Sequence, residues 1–124
     1  MFLNPRKSLL LVSFAVLCFI TAACAQTAPK ITISTDRIPV KGFVAVRGTG
    51  FAPKKDALSH LRRPDGTEFP VLPILTDDRG EFSHEIDTLL LAIGVHELWV
   101  VDSASGVSSN VARFEVTLDQ PPGP

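Results

Sequence analysis

His60, His84 and His96 are the side chains best suited to hold a metal, because imidazole is the commonest protein ligand for zinc and copper. Three of them would leave a coordination position open for water or substrate. Their spacing argues against such a site. No two stand three or four residues apart, and no cysteine lies beside them. A second group is Ser103, Ser105, Ser108 and Ser109, next to Asp102. Serine attack needs an aligned base and an oxyanion hole, and the Gly-x-Ser-x-Gly elbow that exposes such a serine is missing. Serines at this density are ordinary turn residues. Asp77, Asp78 and Asp87 offer oxygen ligands for calcium, but without the D-x-D-x-D-G spacing of a calcium loop. A periplasmic metal-binding protein using the histidines, and a small hydrolase or enzyme inhibitor, therefore stand as alternatives. The leading expectation is a protein with no catalytic residue and no cofactor.

The elements that would position these side chains are short and β-like. "ITIST" (31–35), "FVAVRG" (43–48), "ALSHLRR" (57–63), "EFPVLPIL" (68–75), "EFSHEID" (81–87), "VHELWVVD" (95–102) and "NVARFEVTL" (110–118) are separated by turn residues such as Pro64-Asp65-Gly66 and "TDDRG". Seven candidate strands with turns every 8–12 residues or so predict a β-sandwich. Pro70 and Pro73 put "EFPVLPIL" at a sheet edge or make it partly irregular. "IDTLLLAIGV" is stopped early by Gly94, and is expected to be a loop or one helical turn crossing between the sheets.

Alternation assigns faces. Val44 and Val46 point inward, and Phe43, Ala45 and Arg47 outward. Phe82, His84 and Ile86 share the inner face, because Glu81, Glu85 and Asp87 share the other and must meet water. His96, Leu98 and Val100 point in, which sends Glu97, Trp99 and Val101 out. Ala112, Phe114, Val116 and Leu118 point in. Phe43, Trp99 and Val101 are then exposed apolar side chains and form the candidate binding patch, tryptophan being favoured where surfaces bind.

The first 25 residues belong to a different class. A basic start ending in Arg6 and Lys7, an uncharged apolar run of 16 residues from Ser8 to Ala23, and the small residues Ala23 and Ala25 are the three parts of a secretory signal peptide. The run is shorter than the ~20 residues of a spanning helix. The expected organisation is signal peptide 1–25, linker 26–29, sandwich domain 30–118 and proline-rich tail 119–124. Cys24 is a lipidation candidate, since Thr21-Ala22-Ala23-Cys24 resembles a bacterial lipobox. Thr21 replaces the usual large aliphatic there, which favours ordinary cleavage before Gln26 and a periplasmic or secreted form over a membrane-anchored lipoprotein. Cys18 and Cys24 are the only cysteines, so the domain itself has no disulfide and must be held by apolar burial. Removing Arg6 and Lys7 leaves ten basic against thirteen acidic side chains, a net charge of −3. The basic residues are scattered, which excludes a nucleic-acid footprint. The membrane enters only through the possible anchor at Cys24.

Gly42, Val44, Val46, Gly48, Gly50 and Phe51 in "VKGFVAVRGTGFAP" resemble the opening of bacterial Ig-like and IPT/TIG-type extracellular domains. "TDDRGEFSHEID" and "GVHELWVVDSASGVSSNVARFEV" are similar to later strands of the same group. The resemblance covers roughly residues 30–118 and implies a seven-stranded immunoglobulin-like β-sandwich. It carries no catalytic residues. An aromatic is common in the group where His96 stands. The expected function is an exported, non-catalytic binding or structural module at the bacterial cell envelope, contacting a protein or polysaccharide partner.

Overall fold

The computed structural model describes residues 27–118; the leader, Cys24 and the proline-rich tail lie outside the described residues. Eight strands follow in order: β1 (Lys30–Ile33), β2 (Arg37–Pro39), β3 (Phe43–Thr49), β4 (Asp56–Arg62), β5 (Leu72–Leu75), β6 (Phe82–Asp87), β7 (Gly94–Asp102) and β8 (Ala112–Thr117). They form a three-stranded sheet in the order β1-β3-β6 and a five-stranded sheet in the order β2-β8-β7-β4-β5. The chain is therefore an all-β two-sheet sandwich. No helix among the described residues is long and apolar enough to cross a membrane.

The strict alternation of β3 produces the core directly. Phe43, Ala45, Arg47 and Thr49 are exposed, while Val44, Val46 and Gly48 are buried between them. Side chains on alternate faces of a strand can be apolar on one face and solvated on the other. From the facing sheet, Leu98 and Val100 of β7 and Phe114 and Val116 of β8 complete the interior. Gly48 is required by its neighbour across the β3–β6 pair, since a Cβ there would run into the Phe82 ring. That ring packs edge-on against Phe51, with centroids 5.4 Å apart and planes at 60°.

Two expectations need correction. Among the described residues there are eight strands, because β2 was not expected. It pairs parallel with β8 through Arg37↔Glu115, Ile38↔Val116 and Pro39↔Thr117, while β1 pairs with β3 in the other sheet. The first strand region is thus divided between the two sheets. Three residues are too few to display alternation, and Pro39 is tolerated because β2 is an edge. As expected, "EFPVLPIL" is partly irregular and at an edge: only Leu72–Leu75 is a strand, on the opposite edge of the same sheet. Leu118 points outward and is 65% exposed, because β8 ends at Thr117. The crossing turn is present as expected: Thr88–Leu90 forms one 3-10 turn between β6 and β7, capped by the Asp87 carboxylate, which accepts from the Leu89 N–H.

Candidate functional site

The outer face of the five-stranded sheet collects a cluster of charged and aromatic side chains that the sequence placed on strands. β4 supplies His60 and Arg62, β7 supplies Glu97, Trp99 and Val101, and β8 supplies Arg113 and Glu115. The register sets His60 directly opposite Trp99 and Arg62 opposite Glu97, and on the other side Glu97 opposite Arg113. Cross-strand partners on one face are close enough to interact. The His60 and Trp99 rings stack with centroids 5.2 Å apart and planes within 7°. The Arg62 guanidinium lies 4.9 Å from the Trp99 ring centroid.

A chain of ion pairs runs beside the rings. Glu97 accepts from Arg62 Nη1 at 3.3 Å and from Arg113 Nε at 2.9 Å. Glu68, brought up by an isolated bridge to Arg62, lies 3.8 Å from the Arg62 Nη2 and 3.7 Å from His60 Nδ1. Arg37 of β2 reaches Glu115 at 3.9 Å. Such exposed pairs add little stability each, but a linked set fixes where long side chains point. Between Trp99 and the loop before β8 lies a shallow recess of about 250 Å³, lined by Arg62, Glu97, Trp99, Ser108 and Val111.

Phe43 does not belong to this face. It is 57% exposed, but β3 lies in the three-stranded sheet, so Phe43 and the Trp99–Val101 pair sit on opposite sides of the sandwich. The patch as expected is therefore divided into two surfaces, and Trp99 and Val101 are half-buried rather than exposed, because β4 and the segment before β8 flank them.

The histidines are likewise dispersed. His60 is on the outer face of the five-stranded sheet and His96 is on its inner face, while His84 is on β6 of the other sheet. No group of three or more His, Cys, Asp or Glu side chains suited to a metal occurs among the described residues. His96 is fully buried and stacks on Phe114, with centroids 5.4 Å apart and planes within 7°. It fills the place of an aromatic in the core. Its Nδ1 lies 3.2 Å from the Gly94 carbonyl, while Nε2 is buried without a partner. Burial pushes the imidazole below its ordinary value of 6.5, opposed in part by the Gly94 carbonyl and assisted by the nearby Arg63 charge. His84 is also lowered by burial, against the opposing effect of Glu85.

The calcium candidates are separated as well. Asp77 uses its carboxylate to accept from the backbone N–H groups of Arg79 and Glu81, which shapes the turn before β6. Those two bonds, that from Glu81 first, hold it below the usual carboxylate range. Asp87 lies at the far end of β6, occupied with the 3-10 turn. The serine cluster is turn structure in the same sense. Ser105 donates to Asp102 at 2.9 Å, Ser108 to the Ser109 carbonyl at 3.2 Å, and Ser109 to the Asn110 carbonyl at 2.8 Å. No histidine is hydrogen-bonded to any of these serines among the described residues, and His96 lies towards the opposite end of β7 from Asp102.

Among the described residues there are other concavities, including a depression of about 400 Å³ on the three-stranded face around Arg47, His84 and Glu85. A cleft of about 250 Å³ opens between the sheets, lined by Leu61, Phe69, Leu72, Ile86 and Leu91 with His84 beside them. A wider depression of about 750 Å³ lies at one end, around Phe51, Arg79, Asp102 and Ser105. The sequence carried no sign of these, nor of the His60–Trp99 stack, whose partners are brought together only by register.

No family model matches the sequence, and no curated protein matches it. Among solved structures the chain is similar to macromomycin, at 11% identity and a TM-score of 0.48, over 73% of this chain and 99% of that one. It is similar to the CARDB domain of the PF1109 protein from Pyrococcus furiosus, described in complex with di-metal ions, at 12% identity and a TM-score of 0.44, over 74% of this chain and 93% of that one. It is also similar to the PKD domain of an M14-like peptidase from a Thermoplasmatales archaeon, at 14% identity and a TM-score of 0.41, over 77% of this chain and 100% of that one.

Proposed function

We propose that this chain is an exported, non-catalytic Ig-like module that binds a partner at the bacterial cell envelope through the outer face of its five-stranded sheet. The observation that supports this most is the arrangement around Trp99. A large aromatic on the middle strand is held upright against His60 and Arg62 beside an open recess, on a face whose charges are already fixed in pairs. Rigid aromatics in such settings bind at little entropic cost. The export reading rests on the leader in residues 1–25, and the Ig-like reading on the turn and core positions from Gly42 to Phe51. The dispersal of the histidines and the engagement of the serines in turn hydrogen bonds leave the metal-binding and hydrolase readings without a supporting geometry.

Retention of an envelope component on the immobilised chain tests the proposal. Trp99→Ala is expected to weaken retention about tenfold or more, the scale of losing a hot-spot aromatic, while the chain stays folded by circular dichroism. Undiminished retention by that variant would remove this face from the account.

A further inference from the structure

The recess beside Trp99 has a chemistry of its own. Trp99 stands on β7, the middle strand, between β4 and the segment leading into β8. His60 on β4 covers one side of the indole. The indole also lines the recess together with Ser108, Val111, Arg62 and Glu97, and the Arg62 guanidinium lies 4.9 Å from its ring centroid. Among the described residues the indole N–H has no acceptor, although most polar side chains around it are engaged. The Ser108 hydroxyl spends its proton on the Ser109 carbonyl, so towards the recess it offers an acceptor.

The charges select among ligands. Arg62 and Arg113 are balanced by Glu68 and Glu97, and Arg37 by Glu115. A face without net charge gives no long-range attraction to an anion or a cation. The apolar side chains near the indole are Val111, in the recess, and Val101, which lies opposite Leu58 of β4; the recess itself is otherwise lined by Arg62, Glu97 and Ser108, more polar than the compact apolar centre of a protein interface. What fits is a neutral group with one apolar flat side and a polar rim.

We infer that the recess takes a neutral sugar ring of a polysaccharide, an inference that rests on reading this face as the binding surface. The C–H side of the ring lies on the indole, whose face carries negative charge density that attracts polarised C–H groups. The rim hydroxyls meet the indole N–H, the Ser108 oxygen and the Arg62–Glu97 pair. Because Arg62 and Glu97 already hold each other, little side-chain freedom is lost when hydroxyls bind them.

The chain contains one tryptophan and no tyrosine, so its intrinsic fluorescence reports this recess alone. The test is a titration of the purified chain with neutral β-1,4-linked hexasaccharides of glucose, mannose and N-acetylglucosamine, with hexagalacturonate as the charged comparison. At least one neutral sugar is expected to give a saturable change in Trp99 emission, half complete below about 1 mM. Hexagalacturonate is expected to give none. Val111→Arg, at an exposed loop position, fills the recess and keeps the reporter. It should weaken saturation by about tenfold or more without lowering the melting temperature. No saturation with any neutral sugar up to about 10 mM overturns the inference, as does saturation indifferent to Val111→Arg or equal binding of hexagalacturonate. If envelope retention still depends on Trp99 when the sugars fail, the sheet face remains the binding surface and only the sugar falls. If retention is also indifferent to Trp99, both fall.

Discussion

His96 shows how one residue ties the core to pH. It is buried against Phe114 with Nε2 unpartnered, so the fold disfavours the charged ring. The unfolded chain protonates near the ordinary value of 6.5, and the folded chain only at a lower pH. Stability from this depressed group is therefore fully present above about 6.5 and is lost as pH falls from there towards the folded value. His84 acts in the same direction. The lowered carboxyls of Asp65 and Asp77 lose their contribution only in the more acidic range below about 4. Urea midpoints at pH 7.5 and pH 5 should show the chain weaker at pH 5, and His96→Phe should narrow that gap. The variant keeps the stacked aromatic and removes the orphaned nitrogen, for an expected gain of about 1 kcal/mol. Equal midpoints in the wild type at both pH values would refute this. The sequence disclosed His96 as inward-facing through alternation with Glu97 and Trp99, and its partner Phe114 likewise. It did not disclose that Nε2 would be left alone, since that depends on every neighbour at once.

At the scale of elements, the strands with strong alternation were readable and the short ones were not. β3, β6 and β7 reveal their faces because six or more residues repeat the period of two. β2 has three residues, and its parallel pairing with β8 joins positions nearly eighty residues apart, which no local pattern records. The same limit hid a side chain acting as a strand. Asn110 accepts from the Ile31 N–H at 2.9 Å through Oδ1 and donates to the Ile31 carbonyl at 3.1 Å through Nδ2. It thereby satisfies the edge of β1 and links it to the segment before β8. Asn110→Ala is expected to destabilise the fold by about 1–2 kcal/mol by thermal melting, the scale of two backbone hydrogen bonds. Gly48→Ala should cost about 1–3 kcal/mol, because the new methyl competes with the Phe82 ring. If Gly48→Ala melts with the wild type, the packing of β3 against β6 is other than described.

For the whole molecule, the sandwich has two outer faces, and they differ in kind. The three-stranded face exposes Phe43 with Arg47 and Glu85, whereas the five-stranded face holds the Trp99 stack, its paired charges and the recess. Sequence alternation found the outward direction of Phe43 and Trp99 but could not assign them to different sheets, because strand order is a property of the fold. That separation also supplies the control that the binding account needs. Truncating Phe43 and Trp99 removes an outward-facing aromatic in each case, the first exposed and the second half-buried, from opposite sides of one scaffold. The decisive measurement is the retention of an envelope fraction by Phe43→Ala and Trp99→Ala side by side. Phe43→Ala is expected to keep wild-type retention and Trp99→Ala to lose about tenfold or more. Equal retention by both variants, or loss confined to Phe43→Ala, would contradict binding through the Trp99 face.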